Sequence, residues 1–243
     1  MLDADNLQIS LLMETEQEIK EDRNNLLLSF YLSFFCVLVL WLIKVLEVSL
    51  DTRFYWLGIY PRSIQGLFGI ISSSLVHKDF VHLGSNTLPL FMGVFMCFYY
   101  YRRIAFEIFT WVYFLSGIWV WLFARQYYHI GASGFIYGIL SFLFFSGIIR
   151  RSPRLMTVSL IIIFMYGGMI WGVLPIKEGV SWESHALGAL SGFVLAVYFS
   201  KKGKLIKSDD SRNEFNKWYS HSTDTSIGPN EYNYEYKPRE NKH

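Results

Sequence analysis

Cysteine is scarce in this chain. Cys36 and Cys97 are the only two, and both lie inside apolar runs, so they read as small buried hydrophobes and give no support to a disulfide framework or redox chemistry. Net charge is almost lacking too, at a formal +2. The distribution of charge therefore matters more than its sum, and nucleic acid is not an expected partner. No signal-peptide pattern opens the chain, since residues 1–25 are acidic and polar rather than basic and then apolar. No internal repeat is evident, which argues against a transporter built from inverted halves. No metal site or cofactor is expected.

Apolar residues are abundant. The chain is 52% hydrophobic and 19% aromatic over 243 residues, too apolar for an ordinary soluble domain. Apolar runs of membrane-crossing length, roughly 17–25 residues, occur six times: at 26–47, 82–100, 104–123, 133–149, 155–173 and 183–200. They lack period-two alternation, and unpaired backbone is costly in lipid, so helices are expected. The expected fold is an all-α integral membrane bundle of six transmembrane helices. Its domain would cover 26–200, after a cytoplasmic segment 1–25 that holds a short amphipathic helix, and before a polar, disordered tail at 201–243.

Basic residues set the direction. Arg102 and Arg103 join spans two and three, Arg150, Arg151 and Arg154 join spans four and five, and Lys201, Lys202, Lys204 and Lys207 follow span six. These connections should be cytoplasmic, as should both termini, in a multi-pass protein of the cell membrane. Connections 48–81, 124–132 and 174–182 should face outward. Pro89 is expected to kink span two.

Ionisable and polar residues inside spans are costly and therefore informative. Lys44 and Glu47 are spaced i,i+3 and read as an interfacial pair; Arg103 and Glu107 read the same way at i,i+4. His82 and Asn86 share one face of the second helix, and Ser133 and Tyr137 share one face of the fourth. Gly134 and Gly138 form a GxxxG, and Gly188 and Gly192 form another behind His185, with Ser184 extending it. Such patterns let helix backbones approach closely. Spans two, four and six run inward from the outer face, so His82, Ser133 and His185 share one depth. Close packing of helices four and six would bring the Ser133 hydroxyl to the His185 imidazole, the adjacent base that a serine nucleophile needs. No Asp lies in any span to complete a triad. Glu183 would point away from the ring, and Tyr137 is the better group to hold it, by stacking. His129 reads as an interfacial loop histidine.

At these residues the chain resembles the rhomboid family of intramembrane serine proteases. Gly131, Ser133, Gly134, Tyr137 and Gly138 match the family's serine motif. His82 and Asn86 match its second-helix pair, with His77 upstream, and His185, Gly188 and Gly192 match its sixth-helix motif. The resemblance spans about 26–200. It implies an outward-opening, water-filled cavity with Ser133 as nucleophile and His185 as general base. Asn86, His82 and the Ser133 backbone N–H would form the oxyanion hole, and transmembrane proteins in the bilayer would be the substrates. One departure stands out: the Trp-Arg pair that other members carry shortly before the histidines is replaced by "FGIISSSLVH", with Trp56 and Arg62 further upstream. A non-cleaving relative that binds membrane clients is the alternative, and it would be marked by loss of the nucleophile or base. Both are present.

Overall fold

The computed structural model describes residues 2–165, 172–174 and 181–202. Residues 175–180 of the expected outer connection 174–182, residues 166–171 of the expected fifth span 155–173, and the tail beyond 202 lie outside the described residues.

The described chain is built on helices. The longer ones are, in order, α1 (Leu2–Ser49), α2 (Phe80–Tyr100), α3 (Ala105–Phe123), α4 (Ser133–Ile149), α5 (Pro153–Met165) and α6 (Trp182–Tyr198), with two four-residue helices, Ile64–Leu67 and Gly69–Ser72, in the connection between α1 and α2. The segment Thr15–Ser49 of α1, together with α2 and α3, is long and apolar enough to cross a membrane. α4 has only 17 residues.

α4 is the centre of the fold. It packs against α6, α5, α2 and α3, while α1 lies against α2. Phe135, Ile136, Ile139, Leu140, Phe142 and Leu143 are all buried along it. A helix that is apolar all round belongs in a core, and this one has partners on every side.

The N-terminal region differs from the expectation of a separate short helix. α1 passes through residue 25 without a break, because no glycine or proline precedes Gly58 and nothing else in the sequence stops the helix. α2 likewise runs through Pro89; the missing N–H there leaves the Ser85 carbonyl without its usual donor. Arg103 and Glu107 do not pair. α3 begins at Ala105, so Arg103 lies in the preceding turn, where i,i+4 helical geometry does not hold. Arg102 instead approaches Glu21 of α1 at 4.0 Å.

Lys44 and Glu47 do pair, at 2.6 Å, and both are buried, so the couple also serves as an anchor. The Lys44 ammonium also donates to the carbonyls of His77 (3.0 Å) and Lys78 (3.1 Å), which uses all three of its N–H groups. Glu47 accepts from the Phe54 N–H at 2.9 Å. Both ends of the 50–79 connection are thereby tied to α1. Its middle is tied to α3: Arg62 donates to the carbonyls of Leu122 (3.2 Å) and Ala124 (2.7 Å), a cation on a helix C-terminus. Ile59 and His129 exchange backbone bonds of 3.0 and 2.9 Å, joining this connection to the one that leads into α4.

Candidate functional site

Three helix starts converge at one end of the bundle. Asp79 caps α2, its Oδ1 accepting from the His82 N–H at 2.8 Å. That bond holds the exposed Asp79 carboxyl below its ordinary pKa. From this cap His82 and Asn86 project on one face, one turn apart. Ser133 is the first residue of α4, where backbone N–H groups have no intrahelical acceptor. His185 sits in the first turn of α6 and is buried.

Glycine sets the spacing between α4 and α6. A Cβ on Gly188 would lie 2.0 Å from the Gly134 carbonyl oxygen, and one on Gly192 would lie 2.0 Å from that of Gly138. The backbones touch, and no side chain fits between them. At this separation His185 Nε2 and Ser133 Oγ are 2.8 Å apart. The His185 Nδ1 lies 2.8 Å from the Gly172 carbonyl oxygen. A carbonyl only accepts, so Nδ1 carries the hydrogen and Nε2 presents its lone pair to the serine hydroxyl. The Tyr137 ring stacks on the imidazole, with centroids 4.3 Å apart and planes 9° from parallel. Ser133, His185 and Tyr137 are thus brought together by two elements, α4 and α6.

α2 approaches from the other side. Gly131 has φ +109°, a left-handed conformation open to glycine, and a Cβ there would lie 2.7 Å from His82 Cε1. The His82 ring therefore packs directly over the turn that precedes Ser133. The Asn86 Nδ2 is buried with no protein acceptor. An unsatisfied buried amide is costly, and this one lies beside the same turn, 3.9 Å from the Gly131 Cβ position. His77 stands behind, its ring 5.1 Å from that of His82, and its Nε2 accepts from the Ala132 N–H at 3.3 Å. Burial drives its pKa down to about 4, with the nearby His82 and Lys44 adding to the shift.

One polar group was not legible as part of the site. His129 is buried. Its Nε2–H donates to the Arg125 carbonyl at 3.0 Å and its Nδ1 accepts from the Ser181 hydroxyl, which in turn meets Ser184 Oγ at 2.6 Å. Burial lowers the pKa of His129, consistent with a neutral ring in this role. Glu183 turns away from His185 and pairs with Arg125 at 2.7 Å. Among the described residues no group of His, Cys, Asp or Glu is placed to hold a metal ion.

The family model of the Rhomboid domain matches residues 65–202, a stretch that holds Asp79, His82, Asn86, Ser133, Tyr137 and His185. The chain belongs to the rhomboid family. It is a membrane protein, as its apolar helices require. Uncharacterized proteins of Mycobacterium tuberculosis and Mycobacterium bovis are each 32% identical to this rhomboid over 192 residues, covering 72% of this chain and 78% of theirs. An uncharacterized protein of Mycobacterium leprae is 32% identical over 168 residues, covering 63% of this chain and 62% of its own length. No solved structure matches the chain.

Proposed function

We propose that this rhomboid is an intramembrane serine endopeptidase that hydrolyses peptide bonds of transmembrane substrates with a Ser133–His185 dyad. The observation that carries the reading is the 2.8 Å contact from His185 Nε2 to Ser133 Oγ, with Nδ1 held by the Gly172 carbonyl. The carbonyl does for the imidazole what a carboxylate does in a triad: it fixes the tautomer and the ring plane. Tyr137 holds the other ring face.

In the reaction the Ser133 oxygen attacks the scissile carbonyl carbon while its proton passes to His185 Nε2. The oxyanion so formed accepts hydrogen bonds from Asn86 Nδ2, from His82 and from the Ser133 backbone N–H. The unpartnered, buried Asn86 amide supports this role, since a preplaced donor is worth most when charge develops beside it. The imidazolium then gives its proton to the leaving amine, and water hydrolyses the acyl-enzyme with His185 again as base.

The reading includes six spans, the site at the outer face of the cell membrane and both termini in the cytoplasm; the arginine and lysine distribution supports that orientation. Backbone amides in an intact helix are shielded, so substrates are cut where small or helix-breaking residues unwind them. The test is incubation of the purified protein with labelled transmembrane peptides. Cleavage by the wild type and none by Ser133→Ala is the expected result; equal cleavage by both removes the assignment.

A further inference from the structure

We propose that Arg125 and Glu183, with His129 and Ser181 beneath them, are positioning residues that clasp the two strands of chain entering α4 and α6 and so hold Ser133 and His185 in register. The inference rests on the dyad reading above.

The glycine contacts fix how close α4 and α6 lie, but not how far one slides along the other. Smooth glycine faces resist axial slippage poorly, and one residue of slip moves a side chain about 1.5 Å. The 2.8 Å dyad contact tolerates far less than that. Deeper in the seam the Ser141 hydroxyl donates to the Ala189 carbonyl at 2.6 Å and helps to set the register there; at the end that carries Ser133 and His185, four groups from two segments meet. Arg125 and His129 come from the connection before α4. Ser181 and Glu183 come from the residue before α6 and its first turn. Arg125 Nε reaches Glu183 Oε1 at 2.7 Å. His129 links the Arg125 carbonyl to the Ser181 hydroxyl, and Ser184 closes the chain of hydroxyls. Every one of these bonds crosses between the two segments or braces one that does.

The burial pattern argues for position rather than stability. The Glu183 side chain is 9% exposed and its Oε2 is buried without a partner, while Arg125 is 61% exposed. A carboxylate held this way recovers little of its desolvation cost, and apolar packing would stabilise the contact as well or better. The fixed geometry of the pair is what an apolar contact would not supply.

The test uses the full chain in proteoliposomes with a fluorogenic transmembrane peptide. Arg125→Gln leaves the buried Glu183 carboxylate without its cation, so its Tm should fall, and the double variant Arg125→Gln/Glu183→Gln, which removes that charge too, should recover Tm; turnover of each is read well below its own Tm. The kcat of Arg125→Gln should fall about tenfold to a hundredfold with little change in KM, since a displacement near 1 Å costs that much. Glu183→Gln should fall by a similar factor, the double variant no further, and Arg125→Lys should recover part of the loss. Hydrogen exchange at the His129 amide, bonded to the Ile59 carbonyl in the wild type, should quicken in Arg125→Gln whether or not turnover is measured. An inactive wild type that still shows this difference in exchange would remove the proteolytic reading and leave the clasp standing. An active wild type matched by Arg125→Gln in both kcat and exchange overturns the clasp.

Discussion

α1 and α4 are both apolar helices, yet they stand at opposite extremes of burial. Along α1 the aromatic and aliphatic side chains of Phe34, Phe35, Leu42 and Val45 are exposed, as lipid-facing residues are in a membrane protein. Along α4 almost every residue is buried, and four of its small residues, Ser133, Gly134, Gly138 and Ser141, face the partner helix α6. Hydropathy alone does not separate the two helices. What separates them is where bulk is missing: α1 has no glycine at all, whereas α4 meets the glycines of α6 with its own. In a bilayer, where apolar surface gains little by leaving lipid, close backbone approach is what makes one apolar helix central and another peripheral.

The strongest way to break that contrast is to restore bulk at the glycine seam. Gly188→Val should abolish peptide cleavage and lower Tm, because its Cβ would start 2.0 Å from the Gly134 oxygen. Overpacking of this kind costs about 1–3 kcal/mol. A Gly188→Val protein with wild-type melting and turnover would mean that the seam is not a tight contact.

Changes on α2 should be smaller and purely kinetic. Asn86→Ala and His82→Ala each remove one proposed donor to the oxyanion, so turnover should fall by about 10²–10³ with little effect on substrate affinity. The Ser133 backbone N–H remains in both, and the loss is partial. Single-turnover measurements decide it, and unchanged rates in both variants would leave α2 a packing element only.

Acid should act through His77. Its folded-state pKa is near 4 against an ordinary value of 6.5, so the unfolded chain binds the extra proton first. Its contribution is fully present above pH 6.5 and is lost as the pH falls toward 4, with a slope approaching about 1.4 kcal/mol per pH unit inside that window. His129 shifts in the same direction. Thermal unfolding followed from pH 7 downward should show Tm falling across this window. His77→Gln keeps an acceptor for the Ala132 N–H and should flatten the fall without removing it. A slope equal to that of the wild type would place the proton elsewhere.

The smallest effect belongs to α1. Phe35→Ala removes a side chain that is 61% exposed, and stability should change by less than about 0.5 kcal/mol, with cleavage unaltered. A large loss would mean that α1 is packed against something more than lipid.

The site's principal side chains were legible in the sequence because they obey helical spacing. His82 with Asn86, Ser133 with Tyr137, and His185 with Gly188 and Gly192 are each set by local periodicity, and three helix starts at one depth suggested their meeting. The helix positions were legible for the same reason. The loops were not. Nothing in the local pattern says that Lys44 will grip the carbonyls of His77 and Lys78, that Arg62 will cap α3, or that Ile59 will pair with His129. Those contacts join residues dozens of positions apart and exist only once the helices are placed. The role of His129 stayed open on this account, since a histidine in a connection shows no partner until a second loop covers it. The unbroken length of α1 was readable in principle, from the absence of glycine and proline before Gly58, but the change from acidic to apolar composition near residue 25 suggested a boundary that the backbone does not make.

The central claim is that the seam between α4 and α6 turns Ser133 into a nucleophile by placing it on the His185 lone pair. Labelling with a fluorophosphonate probe, which traps an activated serine without needing a substrate, tests it most directly. The account predicts that wild-type protein is labelled at Ser133, as read by peptide mass, and that Ser133→Ala and His185→Ala are both unlabelled while keeping the wild-type Tm. Labelling of His185→Ala at the wild-type rate, or no labelling of the folded wild type, would contradict it.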